Sequence, residues 1–185
     1  MTHQYYEGQA LVASPYLADR NFLRSVVYLV KHDEDGAYGL ILNRPMEVTV
    51  GQLLREVLEE AVDIDQPIYH GGPVEGPIVV VHEEDVEGAS PVEPGVYLSS
   101  DQDDLATICS KSGGRYRVFN GYAGWAPEQL DDELKLGGWL TWKITKEDLF
   151  AAPDEIWQTA IRQIGRDILT EGIAAGRIPD DPSTN

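Results

Sequence analysis

Apolar residues in this chain fall into short unbroken runs in some places and into helically spaced stripes in others. Leu11-Val12-Ala13-Ser14, Ser25-Val26-Val27-Tyr28-Leu29-Val30-Lys31 and Tyr38-Gly39-Leu40-Ile41-Leu42-Asn43 are runs. They are short, rich in β-branched residues and bounded by Pro15 and Pro45, which predicts strands. The second and third lack polar alternation, so both faces of these strands are expected to be covered. Between them Asp35-Gly36 is the dipeptide of a tight hairpin turn. Shorter strands are predicted over Pro67 to His70, Pro77 to His82, Val96 to Leu98, Tyr116 to Phe119 and Trp139 to Ile144.

The stripes predict helices. Leu53, Leu54, Val57 and Leu58 follow Thr49 and Gln52, a capping-box pair. Leu105, Ile108 and Cys109 follow Ser100, the expected cap, with Asp101, Asp103 and Asp104 where the helix dipole favours acids; Gly113-Gly114 should end that helix. Leu130 and Leu134 follow Pro127, a residue suited to a first helical position. Thr145 with Asp148 is a second capping box, and Pro153 opens a helix carrying Ile156, Trp157, Ala160, Ile161 and Ile164 that Gly165 is expected to end. Glu83 to Pro94 is acidic and turn-rich and reads as a surface loop. Strands and helices mix without strict alternation, which favours an α+β fold. The expected organisation is one domain over residues 1–165 and a C-terminal tail over 166–185, disordered from Pro179 to Asn185.

Composition narrows the partners. Against 14 Lys and Arg stand 32 Asp and Glu, a net charge of −18. Such a chain repels polyanions, and no Lys/Arg cluster relieves this, so direct nucleic-acid binding and membrane binding are disfavoured. The single cysteine, Cys109, excludes an internal disulfide and fits a reducing cytoplasm. Met1 to Glu7 lacks a signal-peptide pattern, and no apolar run approaches the ~20 residues of a membrane span. The expected location is cytoplasmic.

Three places could carry chemistry. Phe119 to Leu130 brings Gly121, Tyr122, Gly124 and Trp125 to a predicted helix start, where amides and the Gln129 side chain could meet a ligand. The plainer alternative is a packed bend anchored by Trp125. Asn43-Arg44-Pro45 offers a guanidinium at a strand end, able to clamp a carboxylate or phosphate or to pair with a neighbouring acid. His70-Gly71-Gly72-Pro73 could present amides to an anion or simply turn tightly; it matches neither the phosphate-loop nor the dinucleotide pattern. His32, His70 and His82 lack metal-ligand spacing, so no metal or other cofactor is expected. Ser99 and Ser100 sit in no nucleophile elbow, Cys109 lies on an apolar helix face, and the acids at Asp103-Asp104 and Asp131-Asp132-Glu133 read as solvated helix starts.

Taken together, Ser14-Pro15, Asp19-Arg20-Asn21-Phe22, Arg24 to Leu29, His32 to Ala37, Gly39 to Pro45, Gly71-Gly72-Pro73 and Gly121 to Trp125 resemble the YqgE/AlgH family, over nearly all of residues 8–165. The resemblance implies a bifurcated, partly barrel-like β-sheet flanked by helices. It brings no particular reaction with it, only a family label of transcriptional regulator. Glu128 departs from the pattern, where glycine is common; an ordinary residue there is expected to make a more ordinary helix start. The leading expectation is a non-enzymatic cytoplasmic binding or regulatory protein that recognises a small anionic ligand or a protein partner. Its site would gather Asn43, Arg44, His70, Gly71, Gly72, Tyr122, Gly124, Trp125 and Gln129. The alternative is an enzyme acting on a small anionic substrate, with Arg44 orienting it and His70 or His82 moving protons.

Overall fold

A computed structural model describes residues 4–58, 63–111 and 113–174. The side chains of Val57 and Leu58 and the segment Pro179 to Asn185 lie outside what is described. In chain order the first elements are β1 (Ala10–Ala13), β2 (Val26–Asp33), β3 (Gly36–Ile41), β4 (Pro45–Thr49), α1 (Val50–Leu58) and β5 (Pro67–His70). Next come β6 (Val79–His82), β7 (Ser90–Glu93), β8 (Val96–Ser99), α2 (Gln102–Ser110) and β9 (Tyr116–Asn120). The chain continues through β10 (Ala123–Trp125), α3 (Gln129–Lys135), β11 (Trp139–Trp142), α4 (Lys146–Leu149) and α5 (Pro153–Ala174).

The strands form two sheets. One has the order β10-β3-β2-β1-β11 and is antiparallel throughout; the other runs β4-β5-β9-β6-β8-β7, with β5 and β9 its parallel pair. Alternate residues explain the layering. Tyr28 and Leu40 of the first sheet meet Tyr69, Val81 and Phe119 of the second in a shared core that Ile156 and Ala160 of α5 join. Val27, Leu29 and Ile41 point the other way, toward Trp125, Leu130 and Trp139. Val80 and Val118 do the same in the second sheet, toward Leu54 of α1 and Leu105 and Ile108 of α2. Helical cover outside and a partner sheet inside account for the unbroken apolar runs. The fold is the expected α+β, its strands divided between two sheets, neither of them a closed barrel.

Local chemistry fixes the helix ends. Thr49 and Gln52 exchange side-chain and backbone bonds of 3.0 and 3.2 Å, and Thr145 and Asp148 form the second capping box. Elsewhere the expectations need correcting. Asp101 rather than Ser100 caps α2, its carboxylate accepting from the Asp103 amide. Glu83 to Pro94 contains strand β7, which completes the edge of the second sheet beside β8. Gly165 does not end α5, which runs on to Ala174; a mid-helix glycine costs only about 1 kcal/mol and the preceding turns are packed. Pro127 lies outside α3, which begins at Gln129 after Glu128 at φ +63°. The expected ordinary helix start is therefore absent: Glu128 holds the left-handed conformation that glycine adopts without strain.

Candidate functional site

The strand β9 leaves the second sheet at Asn120, and two residues of connection carry the chain into β10 of the first. This crossing brings together the Gly71-Gly72 and Gly121-Tyr122 segments as a seam of backbone on backbone. Tyr122 exchanges two 3.0 Å bonds with Val74, and the Gly71 amide donates to the Asn120 carbonyl at 2.8 Å. A Cβ on Gly71 would lie 2.1 Å from the Gly121 oxygen, and one on Gly72 would lie 2.1 Å from the Tyr122 carbonyl carbon. These glycines are required for the close approach. The Tyr122 ring packs on Tyr38, with centroids 4.9 Å apart, and Gly76 and Gly124 leave room for it.

Asn43 and Arg44 follow β3 and tie down the Phe22–Val26 turn. Asn43 accepts from the Val26 amide at 3.0 Å and donates to the Arg24 carbonyl at 2.8 Å. The Arg44 guanidinium donates to the carbonyls of Leu23 and Asn43 and, among the described residues, pairs with no acid; burial lowers its pKa. The Arg44 carbonyl accepts from the His70 amide at 2.8 Å, while the His70 side chain is exposed. Arg44 and Asn43 line a cavity of about 210 Å³ with Arg24, Asp154 and Trp157, and among the described residues no histidine lines it.

The corner after β10 is built around Glu133. One of its carboxylate oxygens accepts the indole N–H groups of Trp125 at 3.0 Å and Trp139 at 2.7 Å; the other accepts from Gln129 at 2.9 Å. Gln129 is engaged at its other end too, accepting from the Ala126 amide at 3.0 Å. Phe22 completes the aromatic cluster, its ring centroid 5.3 Å from that of Trp139 and 6.1 Å from that of Trp125. Between these walls and the α3–β11 turn opens a cavity of about 370 Å³ lined also by Ser14, Asp19 and Gly124 and, among the described residues, by no Lys or Arg. Ser14 is buried there, and among the described residues its hydroxyl has no partner. Tyr16 and Leu136 at this cavity are 93% and 86% exposed, unusual for large apolar side chains.

The nine expected site residues thus divide. Gly124, Trp125 and Gln129 line the aromatic pocket; Asn43 and Arg44 line a different cavity; Gly71, Gly72 and Tyr122 form the seam; and His70 exposes its side chain beside neither cavity. Glu133 reads from the sequence as part of a solvated helix start, because an acid in the first turns of a helix resembles a solvated charge; the structure instead makes it the half-buried acceptor of three side chains. Its position four residues after Gln129 and six before Trp139 is the signal that was present. Other reactive groups are enclosed. His82 is buried, with Nε2 3.1 Å from the Ser99 hydroxyl, and desolvation lowers its pKa. The rings of Tyr5 and Tyr6 flank His32. Burial pushes the Cys109 thiol up to about 12, which leaves it inert near neutral pH.

The AlgH-like family model matches residues 10–169. A UPF0301 protein of Myxococcus xanthus is 38% identical over 162 residues, covering 85% of this chain and 90% of the relative. One from Streptomyces avermitilis is 36% identical over 190 residues, covering 96% and 94%. Among solved structures, the AlgH protein from Pseudomonas aeruginosa superposes with a TM-score of 0.74 at 32% identity, covering 92% of this chain and 95% of that one. A protein from Corynebacterium diphtheriae gives 0.72 at 26%, covering 88% and 89%. The chain belongs to the AlgH-like family.

Proposed function

We propose that this chain is a cytoplasmic binding protein with a regulatory role, and that it engages a protein partner through the Trp125–Trp139 pocket. The observation that carries this reading is Glu133, whose carboxylate fixes Trp125, Trp139 and Gln129 around an open recess. Rigid aromatic walls with exposed apolar groups at the mouth suit an anchoring side chain of a partner. The unpartnered Ser14 hydroxyl and the acids Asp19 and Glu133 favour an apolar group flanked by a hydrogen-bond donor or a cation. A net charge of −18 favours a partner surface of basic character and disfavours DNA, so the regulatory role runs through protein contact. Among the described residues no helix is long and apolar enough to cross a membrane.

Site-specific photocrosslinking in cells tests this. A crosslinker at Tyr16 or Leu136 should capture one defined protein, and Trp139→Ala should abolish the product. A crosslinker at the exposed Ile168 on α5 serves as the control. Equal capture from Ile168, or a product unaffected by Trp139→Ala, would sink the proposal. The small-anion reading attaches instead to the other half of the expected site, where Arg24 and Arg44 line one cavity together with Asp154 and, among the described residues, Arg44 pairs with no acid. It requires Arg44→Gln to lose a phosphate-induced amide shift at Asn43 and Arg44.

A further inference from the structure

Arg117 on β9 is only 3% exposed, and it is the one Lys, Arg, Asp or Glu in the buried class among the described residues. Its guanidinium joins three parts of the molecule. One terminal nitrogen donates to the Leu42 carbonyl at 2.9 Å, the other donates to the Ala151 carbonyl, and the Tyr69 ring lies beneath it at 4.7 Å. A guanidinium has five N–H groups, and these bonds use two. No carboxylate pairs with it among the described residues, and burial lowers its pKa with only Tyr69 acting in the other direction. Enclosing a cation without a counter-ion is strongly unfavourable. In a chain with 32 acids, the missing partner is notable.

Arg117 also lines a cavity of about 360 Å³ between the start of β9 and the Phe150–Pro153 connector. Arg115 lines it too, and among the described residues no Asp or Glu does. The charge of Arg115 is met from outside the lining, by Glu83 through two 2.7 Å bonds and by Glu147 at 3.6 Å, while its guanidinium stacks over Phe150. The cavity therefore holds one uncompensated positive charge, aromatic walls from Tyr69, Tyr116 and Phe150, and an opening beside the exposed Ala152. A purely structural strut would be complete with its two carbonyls. A second guanidinium and an acid-free lining are not explained by that role.

We propose that this cavity is a binding site for a small organic anion, a carboxylate or phosphate ester, with Arg117 as its counter-ion and the aromatic walls holding its apolar part. The planar fork of a guanidinium suits either anionic group. The site shares no lining residue with the Trp125–Trp139 pocket, so the two stand or fall separately.

Amide NMR titrations with inorganic phosphate and, separately, with benzoate test the proposal on the intact protein. Saturable shifts centred on Gly114 to Arg117 and on Phe150 to Ala152 are expected from at least one probe, and the tighter probe identifies the anion class. Arg117→Met should abolish the shifts. Because that change also removes the strut, Ala152→Glu provides a second variant: it places a carboxylate at an exposed position beside the cavity and should weaken binding about tenfold or more without altering the melting temperature. Three outcomes would overturn the assignment: no shift at these amides into the tens of millimolar, shifts centred on Arg24 and Arg44 instead, or shifts that persist unchanged in both variants.

Discussion

The glycine seam and the aromatic corner adjoin in sequence between Tyr122 and Trp125 and follow opposite building rules. At the seam, Gly71-Gly72 and Gly121-Tyr122 bring backbone against backbone so closely that a Cβ has no place. At the corner, Trp125, Gln129 and Trp139 are held apart by their common acceptor, and the space between the walls stays open. Paired glycines thus signal close approach here, and open space is left where side chains share one carboxylate. Within this family motif, the residues most constrained by packing and the residues that line open space are different ones.

The largest effect that would sharpen the contrast is at the seam. Gly72→Ala would put a Cβ 2.1 Å from the Tyr122 carbonyl carbon and 2.3 Å from the Ala123 nitrogen, atoms of backbone that cannot rotate away. The two sheets must separate locally, and a loss of about 4 kcal/mol is expected in urea unfolding. A loss below about 1 kcal/mol would mean that the crossing yields easily, and the distinction between a closed seam and an open corner would disappear.

Glu133→Ala comes next. It strands the indole N–H groups of two buried tryptophans, each orphaned donor costing about 1–3 kcal/mol, and the adjoining cavity lets water recover part of that. A loss of about 3 kcal/mol with a change in tryptophan fluorescence is expected. Glu133→Gln keeps one acceptor oxygen and should lose about half as much. If the two variants were equally stable, the carboxylate would not be the organising element of the corner.

These two regions also show how far the sequence could be read. The seam was visible as glycine pairs, and strand β5 and both capping boxes were legible because proline, Thr/Gln and Thr/Asp patterns act locally. Glu133 was not legible, since its meaning depends on two indoles brought to it by strands from either side of α3. The course of α5 past Gly165 depends on packing of Trp157, Ile161 and Ile164, which outweighs one unfavourable residue. The division of the expected site followed from the crossing between sheets: Arg44 and Gln129 are drawn to separate cavities by the elements that carry them.

A smaller effect, of opposite sign, probes the tolerance of the corner. Glu128 holds φ +63°, strained for a side chain with a Cβ, and its side chain makes no capping bond to α3. Glu128→Gly relieves about 1–2 kcal/mol of strain while adding unfolded-state freedom, for a net gain of about 0.5 kcal/mol. Glu128→Ala keeps the Cβ and should be neutral. Should both variants behave alike in denaturant unfolding, the backbone strain would not be limiting there.

The smallest effect at neutral pH belongs to the seam and grows only in base. Tyr38 packs against Tyr122, and burial first, then the neighbouring phenol, pushes its pKa up to about 12. An unfolded phenol ionises near 10, so the folded state holds this proton more tightly. The stabilisation is fully present below about pH 10 and is lost as pH rises toward 12, because the unfolded chain releases its proton first. Tyr28 and Tyr116 are raised as well and contribute the same kind of loss. The comparison must therefore be between proteins: Tyr38→Phe should match the parent in melting temperature at pH 8 and exceed it at pH 11. A parallel decline of the two would place the base sensitivity in the tyrosines outside the seam, leaving only steric closure to distinguish seam from corner.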